Sequence, residues 1–215
     1  MQHRLWIFDL DNTLHDATPH IFPRINQSMT DYIGQHLGLD PSQATALRQR
    51  YWHRYGATLL GLIRHHGTDP NHFLHATHIF PDLAEVVVFD KKIRQALQRL
   101  PGRKIIFSNA PRHYTDAILA HTGLARIFDA IYAVEQVRYR PKPSLAGFLQ
   151  ILQREQIPPS QAIMVEDSLD NLAAAKRLGM KTVWITKTTR RPSWLDLTLA
   201  SVADLPRNLQ RIAPI

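Results

Sequence analysis

The 215-residue sequence contains no cysteine. That absence excludes disulfide staples, thiol nucleophiles and Cys-ligated zinc. No apolar run approaches the ~18 residues a membrane helix needs, so no membrane partner is expected. The first strand-like run begins within five residues of the start, leaving no room for a signal peptide. The cytoplasm is therefore the expected compartment. Acidic side chains are outnumbered, 18 against 26 Lys plus Arg, for a formal net charge of +8. The basic residues are dispersed: Lys91-Lys92, Arg138, Arg140, Lys187 and Arg190-Arg191 lie apart. A nucleic-acid polymer needs a clustered basic footprint, so none is expected as a partner. A dispersed positive field instead suits small anionic substrates. There are no internal repeats and no low-complexity segment.

What is present is an alternation. Short apolar runs at 4–8 (RLWIF), 103–108 (RKIIFS), 130–134 (AIYAV), 161–166 (QAIMVE) and 181–186 (KTVWIT) are rich in β-branched and aromatic residues. They scarcely alternate with polar residues, as expected of parallel strands covered on both faces. Helical patterns fall between them at 91–100, 113–122, 144–155 and 169–178. Two stop at Gly123 and Gly179, the residue type that most often follows a helix end. The predicted fold is α/β, with a Rossmann-like parallel sheet core.

Residues 16 to about 85 break that rhythm. They show helical periodicity at 22–37, 41–54 and 57–66 and no convincing strand. An all-helical block between the first and second strands reads as an inserted cap. The expected division is a core of 1–16 with 85–215 and a small helical cap of 17–84. The cap holds His65, His66, His72, His75 and His78, none in a strong zinc pattern, so they are expected in structural or surface roles.

The first strand ends in "DLDNT", with Asp9 and Asp11 one residue apart. Two like charges at a buried strand end are costly unless something compensates them. Residues two apart in an extended chain point the same way, so the two carboxylates converge beyond the sheet edge. In an open parallel sheet, ligands gather at the carboxyl ends of strands. Three other strands end in polar groups: Ser108-Asn109 after the second, Lys142 between Pro141 and Pro143 after the third, and Glu166-Asp167 after the fourth. Any one of these reads as a cap, a loop lysine or an acidic helix start. Four at the same end of one sheet point to a site.

The order Asp9-Leu10-Asp11-Asn12-Thr13, then Ser108-Asn109, then Lys142, then Glu166-Asp167, resembles the haloacid dehalogenase superfamily along the whole chain. The segments "YWHRYGATLLGLIRHHG" (51–67) and "IIFSNAPRHYTDAILAHTGLARIFD" (105–129) are similar to its pyrimidine 5'-nucleotidase branch, with Ser108 where that branch often has threonine. The resemblance implies a Mg²⁺-dependent phosphomonoesterase acting on a small phosphorylated substrate, a pyrimidine nucleoside monophosphate first. The alternative is a phosphatase or phosphomutase for a sugar phosphate or phosphoglycolate. A basic binding protein without turnover is a further alternative, against which the complete acidic and hydroxyl set argues.

The implied roles fall on numbered residues. Asp9 is the nucleophile and a metal ligand, Asp11 the general acid and a ligand through its backbone carbonyl. Asp167 is a ligand and Glu166 a close partner of the metal. Ser108 and Lys142 hold the phosphoryl oxygens, Thr13 orients the loop, and Thr13 and Asn109 are expected among the substrate-binding residues. Asp11 separates reaction types, because the superfamily's dehalogenases lack it: a halide leaving group needs no proton. In the cap, Gly56 interrupts a helical pattern beside Trp52 and Tyr55 and before Thr58. Tyr55, Gly56 and Thr58 are the expected specificity residues.

Overall fold

The computed structural model describes residues 4–212. Its chain divides into two compact units, one running through Asp16 and resuming at Val88, the other spanning Ala17–Val87.

The first unit is built on a six-stranded, wholly parallel sheet. Its strands are β1 (Leu5–Phe8), β2 (Arg103–Phe107), β3 (Ala130–Tyr132), β4 (Ala162–Glu166), β5 (Lys181–Ile185) and β6 (Leu197–Leu199), in the order β3-β2-β1-β4-β5-β6. Every residue of β1 and β4 is buried, which is why β1, and β4 as far as Val165, are apolar throughout rather than alternating. One face packs Leu5, Ile7, Phe107, Met164 and Trp184 against Phe148, Ile151 and Leu172. Burying each such side chain contributes about 1.5–3 kcal/mol. The connecting helices form where the periodicity placed them. Lys91–Arg99 is capped by Asp90, whose carboxylate accepts from the Lys92 N–H at 2.9 Å. Gly102 turns the chain into β2 at φ +91°, and a Cβ there would lie 2.6 Å from the Arg4 carbonyl oxygen. Only glycine fits that turn.

The register aligns the strand ends. Phe8 pairs with Ile106 on one side and with Val165 on the other. One step further along, Asp9 leaves β1 between the ends of β2 and β4, its N–H donating to Val165 O at 3.0 Å. The strand order reverses direction at β1, where ligands of open α/β sheets collect. The chain departs from this unit beside the place where it returns: Asp16 N–H donates to Val88 O at 2.9 Å.

The second unit is helical: α1 (Ile21–Leu37), α2 (Pro41–Tyr55), α3 (Thr58–His66), α4 (Pro70–Thr77) and the single turn α5 (Leu83–Val86). Helix α2 begins with a capping box between Asp40 and Gln43 and Pro41 in its first turn. It ends at Gly56, which adopts φ +78° and returns its N–H to Trp52 O. The ring of Tyr51 lies where a side chain on Gly61 would stand, so α2 and α3 approach closely there. Tyrosines and histidines pair across the unit. Tyr32 OH meets His72 Nδ1 at 2.8 Å, Tyr51 OH meets His66 Nε2 at 2.8 Å, and Tyr55 OH meets His65 Nε2 at 2.6 Å. His78 is buried against Thr77 and the Leu74 carbonyl.

Candidate active site

Asp9 sits at the end of the central strand, 7% exposed. Asn12 takes φ +61°, a conformation asparagine tolerates, and bends the segment after it. The Thr13 hydroxyl donates to Asp9 Oδ2 at 3.3 Å. Lys142 is 2% exposed, and its ammonium donates to Asp9 Oδ1 at 2.5 Å and to Glu166 Oε2 at 2.7 Å. That ammonium also lies 5.3 Å from the centre of the Phe107 ring. Glu166 is 1% exposed, and its other oxygen accepts from the N–H groups of Asp167 and Ser168 at 3.2 Å each. Carboxylate oxygens of Asp9, Glu166 and Asp167 lie within 4.8 Å of one another.

The charges do not balance. Burial first, then the neighbouring Glu166, pushes the Asp9 carboxyl up to about 7, with Lys142 working in the opposite direction. Burial does the same to Glu166, also to about 7, again opposed by Lys142. Asp167 is raised, chiefly by burial. Burial alone would lower Lys142, but Asp9 and Glu166 outweigh it and hold the ammonium protonated. Lys142 thus pairs with two carboxylates while a third, Asp167, crowds them. A hard divalent cation with oxygen ligands fits this donor set: it supplies the missing charge and leaves Lys142 in place.

The second aspartate is held differently. Asp11 Oδ1 accepts from the Tyr114 hydroxyl at 2.6 Å and from His15 Nε2 at 3.0 Å. Tyr114 belongs to the helix Arg112–Thr122 that follows β2. Burial first, then the charge of Asp11, pushes its phenol well above the ordinary range, so it stays a donor. Ser108 is buried at the end of β2, its oxygen accepting from the Ala110 N–H at 3.0 Å. Lys142 arrives on a loop bent by two consecutive residues with positive φ, Arg138 and Tyr139.

The structure brings Asp9, Glu166, Asp167 and Lys142 together and shows the protein contacts that the other expected residues make. Asn109 is engaged with the segment that carries Lys142. Its amide clasps the Lys142 backbone, Nδ2 donating to Lys142 O at 2.9 Å and Oδ1 accepting from Lys142 N–H at 2.8 Å. Thr13 has the orienting role expected of it, through its bond to Asp9. In the helical unit, Thr58 is buried and its hydroxyl donates to Arg48 O at 3.1 Å, Gly56 is a helix stop, and Tyr55 is bonded to His65. Each has an internal task that accounts for its identity. Sequence reasoning overlooked Tyr114, His15 and Trp184. The indole N–H of Trp184 donates to Asp167 O at 2.8 Å and fixes that residue's backbone. Tyr114 and Trp184 look like core aromatics in the sequence, and only their polar tips distinguish them.

A family model described as haloacid dehalogenase-like hydrolase matches residues 3–179. The chain belongs to that family of hydrolases. Among curated relatives, a phosphoglycolate phosphatase of Pseudomonas fluorescens is 26% identical over 196 residues, covering 85% of this chain and 69% of its own. The fructose-1-phosphate phosphatase YqaB of Escherichia coli is 38% identical over 68 residues, 32% of this chain and 36% of its own. Among solved structures, a HAD phosphatase from Thermococcus onnurineus superposes with a TM-score of 0.67 at 24% identity, covering 96% of this chain and 97% of the other, a likeness of fold. The named relatives are phosphatases of phosphoglycolate and of a sugar phosphate. None of these names mentions a nucleotide; they match the alternative substrate class rather than the first.

Proposed function

We propose that the protein is a Mg²⁺-dependent phosphatase of a small alkyl monophosphate of the phosphoglycolate or sugar-phosphate type. The observation that carries this reading is the excess of buried carboxylate around a single lysine at the reversal point of the sheet. The names of the relatives support the substrate class.

Asp9, Asp167 and the Asp11 backbone carbonyl would hold the metal, with Glu166 beside it, and the ion when bound supplies positive charge to the phosphoryl oxygens. Asp9 is the nucleophile. One of its oxygens attacks phosphorus in line and forms an aspartyl-phosphate, while the bond to the leaving oxygen breaks. Thr13 and Lys142 hold that carboxylate in position. The Lys142 ammonium and the Ser108 hydroxyl stabilise charge on the phosphoryl oxygens. Asp11 gives its proton to the leaving oxygen, then accepts one from the water that cleaves the aspartyl-phosphate. The presence of Asp11 favours phosphoryl chemistry over dehalogenation, since an alkoxide must be protonated and a halide need not be.

A panel of 2-phosphoglycolate, hexose phosphates and nucleoside monophosphates, assayed for phosphate release with Mg²⁺ and with chelator, tests the reading. The expected outcome is metal-dependent release with the highest kcat/KM on phosphoglycolate or a sugar phosphate. No release from any ester would overturn it. A pyrimidine nucleoside monophosphate at the head of the panel would establish the second reading, which rests on the resemblance of 51–67 and 105–129. A sugar phosphate that isomerises without releasing phosphate would mark a mutase.

A further inference from the structure

The Asp11 carboxylate is gripped by two side chains from separate parts of the chain. Tyr114 lies 103 residues away in sequence and His15 four, yet both donate to the same oxygen, Oδ1. The Tyr114 oxygen is itself 3.5 Å from His15 Nε2, so the three groups form a closed triangle. With Oδ1 pinned twice, the carboxylate cannot turn about its Cβ–Cγ bond without breaking both hydrogen bonds. A carboxylate only accepts, so the imidazole proton is on Nε2. The other nitrogen, Nδ1, is then a bare acceptor, and it is buried with no partner among the described residues. The His15 side chain is fully buried. An apolar side chain would fill that space without leaving a polar atom unsatisfied, which is costly in a protein interior. Packing therefore does not explain a histidine here, whereas the bond to Asp11 does.

We propose that Tyr114 and His15 are positioning residues for proton transfer by Asp11. They fix its carboxyl group in the orientation from which the proton reaches the leaving-group oxygen. The step is the one described above: the Asp9–phosphorus bond forms, the bond from phosphorus to the leaving oxygen breaks, and the Asp11 proton passes to that oxygen, which departs as an alcohol. The inference rests on the reading of Asp11 as the general acid.

The test separates the leaving group from the rest of the reaction. In a single turnover with the Mg²⁺-loaded enzyme in excess, release of the alcohol from 2-phosphoglycolate needs protonation, while release of p-nitrophenol from p-nitrophenyl phosphate needs little. General acid catalysis contributes about 10²–10⁴-fold, so misdirecting the acid should forfeit part of that. Tyr114→Phe is expected to slow release from phosphoglycolate about 10–100-fold, and release of p-nitrophenol at least about tenfold less than that. His15→Leu should show the same split. His15→Gln, whose amide N–H stands near the place of Nε2, should recover most of the loss, and this pair decides the question if Tyr114→Phe does not fold. Equal losses on the two esters, or none, would overturn the positioning role while Asp11→Asn still showed the split. If Asp11→Asn shows no split, the general-acid reading fails and the positioning inference falls with it. A sugar phosphate replaces phosphoglycolate if the panel favours it.

Discussion

Both units bury polar side chains, but they settle them in opposite ways. In the helical unit each such group finds a partner that completes it: Tyr32 with His72, Tyr51 with His66, Thr58 with the Arg48 carbonyl. In the α/β unit the polar groups at the strand ends are over-committed. Lys142 serves two buried carboxylates, a third stands within reach, and His15 leaves a nitrogen without a partner. The first arrangement is what stability selects. The second is unfavourable by itself and persists where a ligand completes it. Unbalanced polarity, more than burial or polarity alone, marks the site.

The strongest challenge to this contrast is Asp9→Asn. If the strand-end cluster exists for chemistry, turnover should fall by about 10⁴-fold or more, as removal of a nucleophile does elsewhere, with the melting temperature little changed. Phosphate release at the parental rate by a contaminant-free preparation would dismiss the cluster as structural. Lys142→Ala comes next. Loss of a charge-stabilising group should lower kcat about 10²–10³-fold. The burial of Lys142 adds a second expectation that its place in a proline-flanked loop does not suggest. Leaving Asp9 and Glu166 unpaired in the interior should cost about 3–5 kcal/mol of stability. A denaturation midpoint equal to the parent's would show that the carboxylates take up protons or water without penalty.

A smaller effect is expected where the α/β unit closes its own accounts. Asp196 accepts from the Lys176 ammonium at 2.7 Å and from both the N–H and the hydroxyl of Thr182 at 2.9 Å. Burial would raise its carboxyl, but these donors prevail and hold it below its ordinary 3.8. Asp196→Ala should cost about 1.5–3 kcal/mol at neutral pH. The sign of the pH dependence follows. A depressed folded-state value stabilises above the unfolded value and the benefit is lost as pH falls through the folded one. The gap between parent and variant in urea unfolding should therefore be full at neutral pH and narrow below pH 3.8. A gap that stayed constant would assign the loss to packing. Least affected should be Tyr32→Phe in the helical unit, which removes one completed hydrogen bond at a cost of about 0.5–1.5 kcal/mol. Its kcat should stay within about threefold of the parent. A large catalytic loss would break the contrast from the other side.

Much of the α/β frame was legible because its physics is local. β1, β2, β4 and β5 each contain an apolar run, and Asp9, Ser108 and Glu166 stand at the ends of the first three. β6 was missed: three residues, Leu197–Leu199, at the edge of the sheet carry too little pattern. Helix α4 was missed for a similar reason, since its eight residues include two histidines and begin at a proline that reads as a break. At the site, the position of Lys142 was visible but its burial was not, because its partners lie 133 and 24 residues away. Tyr114 faced the same obstacle. Its spacing to Ile118 is that of a helix packing face, and nothing in the spacing says its hydroxyl meets Asp11. Residues Tyr55, Gly56 and Thr58 of the helical unit carry two readings at once. A glycine after an aromatic helix suggests room for a ligand, yet an ordinary helix terminus and two internal hydrogen bonds require the same residues.

The Asn109 clasp has a mechanical consequence. Its carboxamide presents one N–H and one C=O to the backbone of Lys142, as a neighbouring strand residue would. The side chain imitates a peptide unit and adds a rung beyond the last residue of β2. The segment bearing the ammonium is thereby coupled to the sheet as if it were an extra strand, although it has no strand conformation of its own. Asn109→Asp, a change of one atom group, would set an anionic oxygen against the Lys142 carbonyl and uncouple the two. Such a rung lets a loop share the rigidity of the scaffold without joining the sheet.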